Sequence, residues 1–156
     1  MTGDILIVTG SRLLSRRARG KDWAVPLIRS AMEWASTVVS GDAEGPDTWT
    51  RELCLQLGLD GFFYALDGTI RGTDWAVLGR WADEDEIPSW NAPERSSWPK
   101  IRNLVMVRAA KARGLGGREV RGLGLVDCLS PTGGTIQTIR SIRAAHIPVR
   151  TEEFFL

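Results

Sequence analysis

Three short stretches carry the residues best suited to holding an anion: Thr9-Gly10-Ser11-Arg12, Ser40-Gly41-Asp42-Ala43-Glu44-Gly45-Pro46-Asp47 and Pro131-Thr132-Gly133-Gly134-Thr135. Glycine lets the backbone approach a ligand closely, and free amides at the start of a helix can cradle phosphate oxygens. A glycine after a strand is, taken singly, most often just a turn. Three such turns, with Arg12 beside the first, predict a phosphate-bearing ligand.

Other chemistry is poorly served. Arg102-Asn103 opens a helical stretch and can face a ligand, or Arg102 can form a surface salt bridge. Asp42 and Glu44 stand in the second turn, where a carboxylate repels phosphate unless Arg12 or Arg102 neutralises it. Asp42 alternatively accepts hydrogen bonds from a ribose or a base. Asp47 reads as a helix cap. His146 falls near a helix end and reads as a surface or dipole-matched residue, not a general base. With one His and no clustered Cys, no metal site is expected. Cys54 lies mid-helix on an apolar side, and no Gly-x-Ser-x-Gly elbow occurs. Nothing calls for a resident cofactor.

The elements that must position these residues follow from hydrophobic patterning. Ile5–Val8 is a continuous apolar run, as expected for a strand buried on both faces. Residues 22–36 read as a helix with Asp22 as N-cap and Pro26 near the first turn. Thr37–Ser40 gives a second strand, and Asp47 caps a helix that Gly58 stops. Gly61–Leu66 is a third strand. Residues 67–99 then break the rhythm, with Trp75, Trp81, Trp90 and Trp98 and the acidic cluster Asp83–Glu86. This insertion reads as extra core wrapping a sheet edge; a lid stacking a Trp over a base, or a dimer contact, are its other readings. A helix over 100–113 directs Ile101, Leu104, Val105 and Ala112 inward. A strand within Leu123–Leu129, a last helix bearing Ile136, Ile139 and Ile142, and a short strand at Ile147–Val149 complete the chain.

Alternating strands and helices predict an α/β fold, a Rossmann-like three-layer sandwich around a parallel sheet of about five strands. In such a sheet the three turns share the carboxyl edge, where ligands bind. The 156 residues suit one domain spanning 1–156, with the Trp-rich insertion inside it. No apolar run approaches the roughly 20 residues of a membrane span. The first residues read as a strand, not a signal peptide, and two free thiols suit a reducing cytoplasm. Twenty basic against 19 acidic side chains give a net charge of +1, which argues against coating nucleic acid by charge alone. By position, though, the basic residues gather at Arg12–Lys21 and Lys100–Arg121.

Val8-Thr9-Gly10-Ser11-Arg12, Val39 to Asp47, Arg102-Asn103, Gly133-Gly134-Thr135 and Ala144 to Val149 resemble, in order, the SLOG superfamily, and within it the YspA-like branch. The resemblance implies a Rossmann-like fold that binds a nucleotide or nucleotide-derived small molecule. By position it implies that Gly10, Ser11 and Arg12 line the pocket and Gly41, Ala43 and Gly45 form the second turn. Gly133, Gly134 and Thr135 would hold phosphate, and Arg102 and Asn103 would face the ligand. The related LOG-type phosphoribohydrolases place a Glu three residues after their Gly-Thr, where this chain has Thr138. Asp42, Glu44 or Asp47 could substitute for that Glu, though Asp47 reads as a helix cap, and binding therefore ranks above N-glycosidic hydrolysis. The second and third turns are also similar to the DprA branch, which makes single-stranded DNA the third reading. The open edge of such a sheet can pair into a homodimer.

Overall fold

The computed structural model describes residues 4–82, 98–129 and 133–155. In chain order these form β1 (Asp4–Gly10), α1 (Gly20–Met32), β2 (Ala35–Gly41), α2 (Pro46–Leu57), β3 (Asp60–Tyr64), β4 (Thr69–Arg71), β5 (Val77–Arg80), α3 (Trp98–Arg113), β6 (Val120–Asp127), α4 (Gly134–Ala144) and β7 (Val149–Phe154). A short 3-10 turn, Arg12–Arg16, joins β1 to α1.

The strands make a single sheet in the order β5-β4-β3-β2-β1-β6-β7. The five from β3 to β7 in that row are mutually parallel, and β4 and β5 add antiparallel at one edge. This is an α/β, Rossmann-like sandwich. Alternation along β1 explains its layers. Leu6 and Val8 pack with Ala24, Ile28, Trp49 and Leu53 under α1 and α2. Ile5 and Ile7 pack with Ile101, Val105, Met106 and Ile142 under α3 and α4. Both faces are buried, and each Val, Leu, Ile or Met among these contributes roughly 1.5–3 kcal/mol by burial.

The chain runs from β1 to β2 and β3 on one side, then returns to β6 on the other side of β1. That reversal opens a crevice beyond the carboxyl ends of β1 and β6, the usual place for a ligand in an open parallel sheet.

The described part of the insertion becomes core and edge. Trp81 is buried, donates its indole N–H to the Ala65 carbonyl, and meets Trp98 edge-on at 5.4 Å. Two short strands, β4 and β5, extend the sheet where the sequence suggested no period. Trp90 and the acidic cluster lie outside the described residues.

Several helix starts differ from expectation. α1 begins at Gly20, with Arg19 in the left-handed region at φ 64°, so Asp22 falls in its first turn and does not cap it. Pro26 thereby lies inside the helix, two residues further in than the sequence suggested. α2 is capped by Gly45 with Pro46 as its first residue, so Asp47 is not its cap. Within α3, Ala112 is exposed, and Met106 and Ala110 take the inward places. β7 begins at Val149 and runs on to Phe154, further than the sequence suggested. His146 adopts φ 59° just beyond α4 and is exposed, ending the helix without facing the crevice.

Candidate functional site

Glycines set how closely the three turns can approach. A Cβ on Gly10 would stand 2.5 Å from Cβ and Cγ of Pro46, so the end of β1 fits under the start of α2 only without a side chain. A Cβ on Gly41 would meet Asp47 Oδ2 at 2.7 Å and Arg102 Nη1 at 2.9 Å. The space a side chain would fill at the end of β2 is thus occupied by two charged groups. Gly45 and Gly133 adopt φ of 86° and 105°, a region that other residues rarely enter.

The turns enclose a cleft of about 410 Å³. Thr9, Gly10, Ser11, Arg12 and Leu13 form one wall, and Gly41, Ala43 and Asp47 another. Gly133, Gly134, Thr135 and Thr138 come from the start of α4, while Pro99, Arg102, Asn103 and Met106 come from one face of α3. The residues expected from the sequence therefore converge, with two exceptions. Gly45 lies behind the wall as the cap of α2, and Asp42 faces a neighbouring cavity of about 200 Å³ with Thr48, Arg51, Phe63 and Trp75. Ser130, Pro131 and Thr132 lie outside the described residues.

Arg102 is a buried clamp. Its Nε donates to Asn103 Oδ1 at 2.8 Å, and its Nη1 donates to Asp42 Oδ1 at 2.8 Å and to the Tyr64 carbonyl at 3.0 Å. Asp42 also accepts the Leu66 N–H at 3.1 Å. The carboxylate that stands in the expected phosphate turn is thus neutralised by Arg102 and tied to the Leu66 amide. Glu44 turns outward and pairs with Arg16 at 3.3 Å.

Arg12 is exposed at the cleft, and among the described residues its guanidinium has no partner. The N-cap of α4 is Gly133, which has no side chain to cap it, so among the described residues no side chain caps the first amides of α4. Arg17 stands behind this turn and donates from Nε to the buried Asp127 at 2.7 Å, while Asp127 accepts the Leu129 N–H at 2.9 Å. Desolvation works against the Asp127 charge, yet these hydrogen bonds hold its carboxyl below the usual carboxylate range. The strand end that feeds the third turn is thereby fixed.

Asp47 is buried beneath the second turn, where its Oδ1 lies 3.0 Å from Ser40 Oγ and its Oδ2 accepts the Ala43 N–H at 3.1 Å. Burial pushes its carboxyl up to about 6, against the pull of Arg102 and both hydrogen bonds. Thr138, at the position of the LOG-type Glu, is buried and donates to the Gly134 carbonyl at 2.8 Å. Cys54 is buried under α2, which raises its thiol to about 12 and leaves it unsuited to nucleophilic attack. Among the described residues no group of His, Cys, Asp and Glu could hold a metal ion. No described helix is long and apolar enough to cross a membrane.

Pro99 and Met106 line the cleft without having been expected from the sequence. Their signal is helical spacing, because Pro99, Arg102, Asn103 and Met106 recur at three and four residues on one face. The sequence reads Asp47 as a cap, whereas its depth depends on Gly41 and Ser40, far from any helix pattern.

No family model matches the sequence, and no curated protein matches it. Comparison with solved structures finds the X-ray structure of DNA processing protein A (DprA) from Streptococcus pneumoniae, at a TM-score of 0.40 and 16% sequence identity. The match covers 96% of this chain and 59% of that one, so the chain spans about three-fifths of the length of that protein.

Proposed function

We propose that the cleft binds a phosphate-bearing, nucleotide-type small molecule. Its phosphate is received by the first amides of α4 and by Arg12, and its remainder lies along Arg102, Asn103 and Met106. The observation that carries this reading is the meeting, in one cleft, of a helix start whose N-cap is glycine and an arginine that has no partner among the described residues. Backbone donors and a cation at a helix N-terminus are what phosphate oxygens need.

Binding, not cleavage, is the activity proposed. A glycosidic bond breaks through a developing cation that a facing carboxylate stabilises, and Thr138 offers only a hydroxyl already donated to Gly134.

Thermal-shift measurement against nucleoside monophosphates, cyclic nucleotides and adenosine diphosphate ribose tests the proposal. At a hundredfold excess over Kd, a true ligand adds about 2.7 kcal/mol. For a chain of this size that raises Tm by about 5–10 °C. Arg12→Ala should abolish most of the shift, and chromatography should return the ligand intact. No stabilisation by any of these compounds would remove the nucleotide reading, and release of free base would replace binding with hydrolysis.

A further inference from the structure

We propose that Asp47 lies beneath the cleft as a neutral carboxylic acid, its Oδ1 proton donated to Ser40 Oγ, and that the cleft takes up its anion in this protonated state. The inference deepens the reading of the cleft as an anion site, on which it rests, but needs no particular nucleotide.

Hydrogen-bond accounting leads to it. Ser40 has one hydroxyl hydrogen and two acceptors in reach, the Val8 carbonyl at 2.8 Å and Asp47 Oδ1 at 3.0 Å. Ser40 and Val8 are wholly inaccessible and Asp47 nearly so. An ionised Asp47 can only accept, so Ser40 would serve one of the two acceptors and desert the other. A proton on Oδ1 satisfies both. Asp47 then donates to Ser40 Oγ, Ser40 donates to Val8, and Oδ2 still accepts the Ala43 N–H. Buried polar groups are nearly always paired, and the protonated arrangement is the one that pairs them all.

Charge accounting agrees. Arg102 faces Asp47 from α3, but it makes its hydrogen bonds to Asp42, Tyr64 and Asn103. Asp42 faces it from the second turn and cancels Arg102. Arg51, one turn along α2, donates to the Thr73 carbonyl and stacks against Trp75. Arg12 reaches the cleft from the loop after β1. With Asp47 neutral, Arg12 is left, among the described residues of the cleft, as the charge that no carboxylate opposes. With Asp47 ionised, a negative charge of low solvation lies under the phosphate position, and an incoming anion must overcome it. Burial works in the same direction, raising the carboxyl to about 6. Binding an anion above that pH must therefore draw in a proton.

Carboxyl ¹³C NMR follows this proton directly, with Asp47→Asn assigning the resonance. In the ligand-free protein Asp47 should titrate near pH 6; a carboxyl already ionised at pH 5 overturns the proposal. Sodium sulfate, compared with sodium chloride at equal ionic strength, should then raise the midpoint, since sulfate itself does not titrate in this range. Tenfold weaker sulfate binding to the ionised form reads as a rise of about one pH unit. A midpoint that sulfate leaves in place also overturns the proposal. In Asp47→Asn the amide can donate to Ser40 as the acid does, so sulfate affinity should be constant from pH 5.5 to 8; a retained pH dependence would count against Asp47. If sulfate moves the midpoint while no nucleotide stabilises the protein, the coupling stands and the nucleotide reading falls.

Discussion

Arg102 and Asp47 both carry ionisable groups out of water, and the protein deals with them in opposite ways. Arg102 keeps its charge because Asp42, the Tyr64 carbonyl and Asn103 surround its donors. Asp47 is held only by Ser40 and the Ala43 N–H, and burial keeps it protonated up to about pH 6. That difference has a thermodynamic sign. A carboxyl raised from 3.8 to about 6 contributes stability that is fully present below pH 3.8 and lost as pH rises through about 6. The loss amounts to about 3 kcal/mol once Asp47 is ionised. Asp47→Asn cannot ionise and keeps the donor to Ser40, so it should be more stable than the parent by about 1–3 kcal/mol at pH 7.5. The gap should close toward pH 4. Urea unfolding at the two pH values measures it, and equal gaps at both would mean that folding does not raise the Asp47 carboxyl. The types of Arg12, Arg102 and Thr135 already suggest an anion site in the sequence, because donors and glycines are local signals. The state of Asp47 was not legible, because it depends on what Gly41 leaves room for across the turn.

Strands and helices that face one another through strong periods were legible in the same way. β1 is a plain apolar run, and α3 and α4 repeat at three and four residues. The hairpin of β4 and β5 was not, since its strands hold only three and four residues and are read against a background of Trp, Gly and charge. What builds it is Trp81, which anchors it through the Ala65 carbonyl and through Trp98. Ala65 in turn receives no slack: its N–H donates to Thr69, and the next amide, Leu66, donates to Asp42. The hairpin root therefore helps to hold the carboxylate that holds Arg102. Trp81→Phe keeps most of the ring but removes the donor to a buried carbonyl, at a cost of about 1–3 kcal/mol. The expected outcome is a lower Tm together with weaker binding of whichever nucleotide stabilises the parent. A lower Tm with unchanged affinity would separate the hairpin from the site.

Over the whole molecule, a net charge of +1 hides a surface on which most of the described arginines with a carboxylate in reach are already paired. Arg16 pairs with Glu44, Arg17 with Asp127, Arg71 with Asp67, Arg121 with Glu119 and Arg150 with Glu152. The exposed members of these pairs add little stability. Arg12, without a partner among the described residues, brings a positive charge to the crevice where the strand order reverses. One cation and one helix start neutralise about one or two phosphates, which fits a small ligand better than a strand of nucleic acid. The salt dependence of binding distinguishes the two, since each phosphate neutralised on a single strand adds about 0.7 to the slope of log K against log salt. Fluorescence polarisation with a labelled oligonucleotide and with a labelled nucleotide, each at 50 and 200 mM salt, makes the comparison. The nucleotide should lose only a few-fold in affinity over that range, and the oligonucleotide should bind weakly at both. Tight oligonucleotide binding with a steep slope would mean that the cleft is one contact along a longer path, and that the basic residues from Arg12 to Lys21 act together and not as separate ion pairs.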